Sequence, residues 1–274
     1  MKKVIGLALL TMVAFLFSTT AMAYDDLITD DTSAVKEAKA MTGKASILFQ
    51  TAGKGFDNEG EDTPDYADDT THIRVPLKFS YVVMDNLEAF AILPIVSLDA
   101  GGDSNSGIGD IWLGAKYAVM PEGMLTVRGA LDLPVGDDDK FLGNAGGFGI
   151  DVAAMTAKQI DAIGLNGQLG LRYNVEDGDT KWQPGIGIYV DVEGSYKFTD
   201  MLAGQLGLEY TNVGDGKADG TDVDKSGIDY LDLNIGACYM VSDTIGVKGD
   251  ILYTLMGTNY NAFFGVLIGL NYNF

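Results

Sequence analysis

The chain has 274 residues, 47% of them apolar, with 36 glycines and a formal net charge of −21. So acidic a protein is unsuited to holding nucleic acid, and its single cysteine, Cys238, rules out an internal disulfide. Beyond the first two dozen residues no run of eighteen apolar residues offers a membrane-spanning helix.

Residues 1–23 read as a secretory signal. Lys2 and Lys3 give the positive start, Val4 opens an apolar stretch that ends near Phe17, and Ala21-Met22-Ala23 is a small-x-small cleavage site. Losing the two lysines takes the net charge from −21 to −23. Residues 24–42 lack strand alternation. Asp30, Thr32 and Ser33 are candidate caps for a short helix running to Met41, which leaves two readings, a periplasmic leader or a short helical plug.

From Gly43 to the end the chain alternates. Twelve segments, roughly 43–51, 70–83, 86–97, 107–119, 123–134, 146–158, 163–176, 184–198, 201–213, 227–240, 244–255 and 260–274, place apolar side chains at every second position. In 163–176, Leu165, Leu169, Leu171, Tyr173 and Val175 share one face, with Asn166, Gln168, Arg172, Asn174 and Glu176 on the other. The connections sort into two kinds. Short turns fall at Met84-Asp85-Asn86, Met120-Pro121-Glu122-Gly123, around Asp161, at Thr199-Asp200 and at Val241-Ser242-Asp243-Thr244. Longer, acidic, glycine-rich loops lie between them, the largest at 51–69 and 214–226.

Greasy faces on so many strands need a second sheet in water but nothing in lipid, where closure satisfies every edge. The expected fold is therefore all-β: an up-and-down antiparallel transmembrane barrel of about twelve strands over 43–274, in the cell outer membrane, with both termini periplasmic. Tyr81, Tyr117, Tyr196, Phe198, Tyr239, Tyr272 and Phe274 fall near short turns or the terminus, as an interfacial girdle would. The final strand ends on Tyr272 and Phe274, which resembles the terminal signal read by the barrel-assembly machinery.

The fourth segment carries a family resemblance. Ser106-Gly107-Ile108-Gly109-Asp110, followed by Gly114, Lys116 and Tyr117, is similar to the Ser-Gly-x-Gly-Asp…Lys-Tyr strand of the outer-membrane family named for the meta-pathway of phenol degradation, many of whose members are called transporters. The resemblance implies a monomeric barrel channel for small hydrophobic or aromatic molecules.

Parity assigns the lumen-lining charges. Lys44, Arg74, Lys78, Glu88, Asp110, Lys116, Arg128, Asp132, Asp151 and Arg172 fall in the earlier strands, a nearly neutral set. Asp191, Glu193, Glu209, Asp232, Lys248 and Asp250 fall in the later ones, which lean acidic. Many of these charges are expected to pair across the lumen, because an isolated ion in a narrow space is costly. An acidic remainder with acidic loops at the mouth favours cations.

Chemistry is otherwise sparse. His72 is the only histidine, with no recognisable serine motif near it, so a lipid-modifying enzyme is a lesser alternative to a channel. The stretch from Asp215 to Asp224 has the flavour of a calcium loop, but Lys217 stands where an oxygen ligand belongs and Ser226 where the closing glutamate would be. That stretch and Asp137-Asp138-Asp139 read as solvated acidic loops, able to attract divalent ions that also bridge lipopolysaccharide. No metal site of histidine–cysteine type and no cofactor motif is expected. The reading is a passive outer-membrane channel for small solutes, with outer-membrane lipid, lipopolysaccharide and the assembly machinery as its other partners. The alternative is a plugged structural or adhesive surface barrel.

Overall fold

A computed structural model describes residues 40–63, 70–100, 103–120, 124–137, 142 and 147–274. The signal and almost all of the leader lie outside the described residues, as do Pro121-Glu122-Gly123, Asp138 and Asp139. Among the described residues no helix is long and apolar enough to cross a membrane.

Twelve strands close into one antiparallel barrel: β1 (Met41–Ala52), β2 (Thr70–Met84), β3 (Leu87–Ala100), β4 in two pieces (Asp103–Ile108 and Ile111–Met120), β5 (Leu125–Leu133), β6 (Gly149–Ile160), β7 (Ile163–Asn174), β8 (Gly187–Lys197), β9 (Leu202–Val213), β10 (Ile228–Met240), β11 (Ile245–Thr258) and β12 (Phe264–Asn273). β1 pairs with β2 on one side and β12 on the other, so no edge is left open. The twelve expected segments are these strands. β1 starts two residues before its expected boundary at Gly43, and β4 four residues before Gly107.

Outward positions are apolar around the whole wall. Ile268 is 61% exposed and Phe274 67%, whereas Leu267 between Val266 and Ile268 is 2% exposed. A bulge between β10 and β11 turns Leu255 and Met256 outward in succession, after which the alternation resumes in the other phase. At the end of the barrel that carries the tight turns, Tyr196 and Phe198 meet edge to face at 5.3 Å, and Tyr272 and Phe274 at 4.7 Å.

One part of the wall is irregular. Pro76 on β2 and Pro94 on β3 stand opposite each other. Facing residues of the wider-bonded kind aim their N–H groups away from one another, and proline has none to give. On the far side of β2 the β1–β2 ladder lapses between Ala45–Leu77 and Leu48–Arg74. On the far side of β3 the fourth strand breaks at Gly109-Asp110, where Gly109 N–H donates to the Pro94 carbonyl at 2.9 Å.

The other end carries loops of uneven length. β3 and β4 pair out to Ala100–Asp103, so that hairpin is short, as is the 259–263 connection. Several connections at this end pair with each other. Gly55–Phe56 pairs with both Asp62–Thr63 and Tyr260–Asn261, joining the first and last loops across the β1–β12 seam. Beneath it Ala52, Tyr230, Tyr260 and Phe263 form a buried cluster, with Tyr230 stacked on Tyr260 at 4.1 Å. A second small sheet joins Trp182–Gln183, Lys217–Ala218 and Thr221–Asp222. The 215–224 stretch is thus a hairpin, closed by a Lys217–Asp222 pair at 3.4 Å.

Two loop aspartates order their own turns. Asp57 accepts the backbone N–H groups of Glu61 (3.0 Å) and Glu59 (2.8 Å), which hold its carboxyl below the ordinary aspartate value. Asp177 is lowered in the same way, by the N–H and hydroxyl of Thr180 and the N–H of Asp179.

Candidate functional site: the inner wall of the barrel

Every second residue of each strand faces inward, and these positions hold the charges. Arg74 and Lys78 stand on β2, Glu88 on β3, Lys116 on β4, Arg128 and Asp132 on β5, Asp151 on β6, Asp191 and Glu193 on β8, Glu209 on β9, Asp232 on β10 and Asp250 on β11, all buried. Arg172 on β7 and Lys248 on β11 are partly buried, with side chains 22% and 13% exposed. Asp110 sits in the break of β4. Its Oδ1 accepts the backbone N–H groups of Val135 (3.1 Å) and Gly136 (2.8 Å), tying the start of the β5–β6 loop to the wall.

The densest cluster centres on Asp151. Arg128 donates to it at 2.9 Å, the Tyr189 hydroxyl reaches both its oxygens at 3.0 and 2.9 Å, and Arg172 lies 3.7 Å away. Tyr189 stands on β8 and Asp151 on β6, so the ring must lean across β7. It passes over Gly170, where any Cβ would lie 1.8 Å from the ring. Gln205 on β9 likewise reaches Asp250 on β11 (2.6 Å) over Gly236, where a Cβ would meet the carboxylate at 1.7 Å. Small residues on the inner face act here as passes for long neighbours.

Other pairs lie in direct register. Glu88 faces Lys116 across β3–β4 at 3.2 Å, and Asn166 donates to Glu193 across β7–β8 at 3.1 Å. Lys248 contacts Asp250 on its own strand at 3.3 Å. These pairs join the same, neighbouring or next-but-one strands, where the expectation was pairing across the lumen. Neighbouring inward side chains on a sheet start only about 5 Å apart, far closer than opposite walls.

The wall also carries apolar groups that strand parity did not single out. Phe90, Ile92, Trp112 and Ala130 form one buried patch on β3–β5, Leu48, Leu252 and Leu267 a second, and Ala153, Met155 and Tyr189 a third. Two cations lie on these rings: Arg172 over Trp112 and Lys78 over Phe90, each at 4.7 Å. β3 is apolar on both faces for most of its length, a signal that was present in the sequence as an unbroken run from Ala89 to Val96.

His72, also inward and buried, accepts from Arg74 Nε at 3.1 Å. Among the described residues no serine or carboxylate hydrogen-bonds it, so no nucleophile–base pair is assembled there. The Cys238 thiol, on the inner face, donates to Gln205 Oε1 at 3.3 Å.

The fold is shared with solved outer-membrane barrels. An outer-membrane channel from Pseudomonas putida F1 is similar at a TM-score of 0.74 and 18% identity, covering 88% of this chain and 98% of that one. The translocator domain of the autotransporter NalP from Neisseria meningitidis follows at 0.58 and 12%, covering 92% of each chain. The β domain of the Bordetella autotransporter BrkA gives 0.57 and 11%, covering 87% and 100%. No curated protein sequence matches the chain. The profile described as "Putative MetA-pathway of phenol degradation" matches residues 52–272, which is nearly the whole barrel, and the chain belongs to that family.

Proposed function

We propose that the protein is a passive outer-membrane channel for small solutes, and that small hydrophobic or aromatic compounds are the class it passes. One observation carries this reading: a patch of Phe90, Ile92, Trp112 and Ala130 on the inside of a barrel whose outside is already apolar. Lipid explains apolar groups on the outer face but not on the inner one. An aromatic wall beside stacked cations offers successive weak contacts to a ring, and weak contacts let a solute both enter and leave. The family's description, which names phenol degradation, supports this class of compound, and the outer-membrane channel from Pseudomonas putida shares the fold of such a channel.

In this reading the fifteen inward charges from Arg74 to Asp250 line the path. The 52–69 and 214–226 loops face outside, and both termini face the periplasm. Outer-membrane lipid and lipopolysaccharide surround the wall, and the assembly machinery reads Tyr272 and Phe274.

A specific observation favours the second reading, a plugged surface barrel. At mid-height the inner side chains are almost wholly buried, with Arg128 and Asp151 at 0%. The experiment is solute flux into vesicles carrying the barrel, with and without residues 24–42, comparing phenol with a sugar of similar size. A channel admits phenol faster, and Trp112→Ala narrows that preference. No flux from either protein would leave the surface-barrel reading.

A further inference from the structure

On β8–β10 three carboxylates stand side by side on the inner face. Asp191 faces Glu209 in direct register, and Glu209 faces Asp232; all three are buried. Like charges placed opposite each other on a sheet repel. One level along, Glu193, Gly207 and Asn234 are in register. Gly207 has no side chain, although a Cβ there would meet Glu193 and Asn234 only at 3.7 Å, an ordinary contact. The space it leaves is a cavity of about 10 Å³ bordered by Glu209, Asp232, Asn234 and Leu252. That is room for roughly one water or one bare ion.

Polar atoms are left over around this gap. Asn234 is 5% exposed, yet neither its Oδ1 nor its Nδ2 makes a hydrogen bond. Asp232 Oδ1 makes none either, with the residue 8% exposed. Glu209, by contrast, is oriented: its Oε1 accepts the Thr211 hydroxyl at 3.0 Å. A buried amide with both ends unsatisfied is rare in folded proteins and calls for an explanation.

We propose that this gap binds one hard divalent cation of the calcium class, held by the carboxylates of Asp232 and Glu209 and by the amide oxygen of Asn234. The donors are all oxygen, which selects calcium or magnesium over zinc or copper. Two carboxylates balance two positive charges, whereas a monovalent ion would leave the wall negative. Among the described residues no three acid or imidazole side chains converge on one point. The third ligand is therefore a neutral amide. Calcium tolerates such an irregular set better than magnesium, which demands a near-ideal octahedron. A filled site would also quench part of the acidity of this wall, making the charge inside the barrel depend on external divalent ions.

The test uses the full mature barrel in detergent, stripped with chelator and titrated with calcium chloride by calorimetry. Heat-modifiable gel migration reports the folded barrel. One ion per barrel is expected to bind apart from weaker loop binding, to raise the melting temperature, and to be matched by magnesium only at higher concentration. Asp232→Asn and Asn234→Leu should each weaken that ion at least tenfold, whereas Asp222→Asn, in the acidic loop hairpin, should leave it unchanged. Should the first two variants fail to fold, Asn234→Asp supplies the answer, because a third carboxylate at the gap must tighten binding if an ion sits there. The proposal is overturned by calcium binding that is identical in wild type, Asp232→Asn and Asn234→Leu, by a folded Asn234→Asp barrel with no gain, or by no binding beyond the loops.

Discussion

Replacing Asp151 with asparagine keeps its shape and removes the charge on which Arg128, Tyr189 and Arg172 converge. Both Asp151 and Arg128 have side chains that are 0% exposed, so water cannot take over the carboxylate's part. Breaking a pair of this kind costs about 3–5 kcal/mol, because the remaining ion keeps its desolvation penalty. Tyr189→Phe removes only hydrogen bonds to a charged group, about 1.5–3 kcal/mol. Arg172→Gln should cost least, about 1 kcal/mol or below, since that side chain is 22% exposed and 3.7 Å away. The order Asp151→Asn, then Tyr189→Phe, then Arg172→Gln follows from burial and distance alone. Replacing both members, Asp151→Leu with Arg128→Met, should restore much of the stability, since apolar pairs of similar volume often match or exceed buried ion pairs. Urea unfolding of the barrel refolded into phosphatidylcholine vesicles reads this directly. Fluorescence is a convenient signal, as Trp112 and Trp182 are the only two tryptophans. A loss below about 1 kcal/mol for Asp151→Asn, against the 3–5 expected, would refute the reasoning. So would a larger loss for Tyr189→Phe.

Three further outcomes are expected. Phe274→Ser should slow insertion, leaving unfolded chain in the periplasm on heat-modifiability gels, because the terminal ring is an exposed anchor packed edge to face on Tyr272; normal insertion would remove the terminal strand as the signal. The loop turns at Asp57 and Asp177 should loosen in acid: a depressed carboxyl contributes its stability above the unfolded value near 3.8 and loses it as pH falls through the lower folded value, so pepsin cleavage of these loops should rise below about pH 4, and Asp57→Asn should show the looser loop already at neutral pH. In planar bilayers the barrel should prefer cations, and Asp191→Asn with Glu193→Gln should reduce that preference; a reversal potential favouring anions in the wild type would contradict an acidic path.

Much of this fold was legible because lipid enforces a simple rule. Each strand must turn an apolar row outward, so parity alone located the twelve strands and sorted Asp191 and Glu193 from Val190 and Val192. The resemblance around Ser106-Gly107-Ile108-Gly109-Asp110 pointed to the family, yet that motif lies where β4 breaks, and nothing in it announces that Asp110 would tie down Val135 and Gly136. Contacts within the wall were less legible. Parity gives the face of a residue but not its level on the barrel, and level depends on the stagger between strands. Tyr189 over Gly170 and Gln205 over Gly236 each require knowing two registers at once. The union of Gly55–Phe56 with Tyr260–Asn261 was hidden for the same reason, since only closure brings the first and last loops together.

The direction of the pairing bears on how such an interior could pass a solute. Had the charges met across the axis, any molecule moving through would have had to separate them, at a cost of several kcal/mol per buried pair. Here Glu88 and Lys116, Asn166 and Glu193, and Arg128 with Asp151 are joined along the wall. Arg172 and Lys78 sit over the rings of Trp112 and Phe90 at 4.7 Å, so their charged heads are engaged as well. In the proposed channel a ring-shaped solute would exchange contacts with aromatic faces while these ion pairs stay made. The same logic makes the glycines functional in a specific sense. Gly170 and Gly236 let the Tyr189 ring and the Asp250 carboxylate lie down across a neighbouring strand instead of projecting inward. Valine at either position would force the longer side chain toward the axis, coupling the stability of the wall to the width of the path.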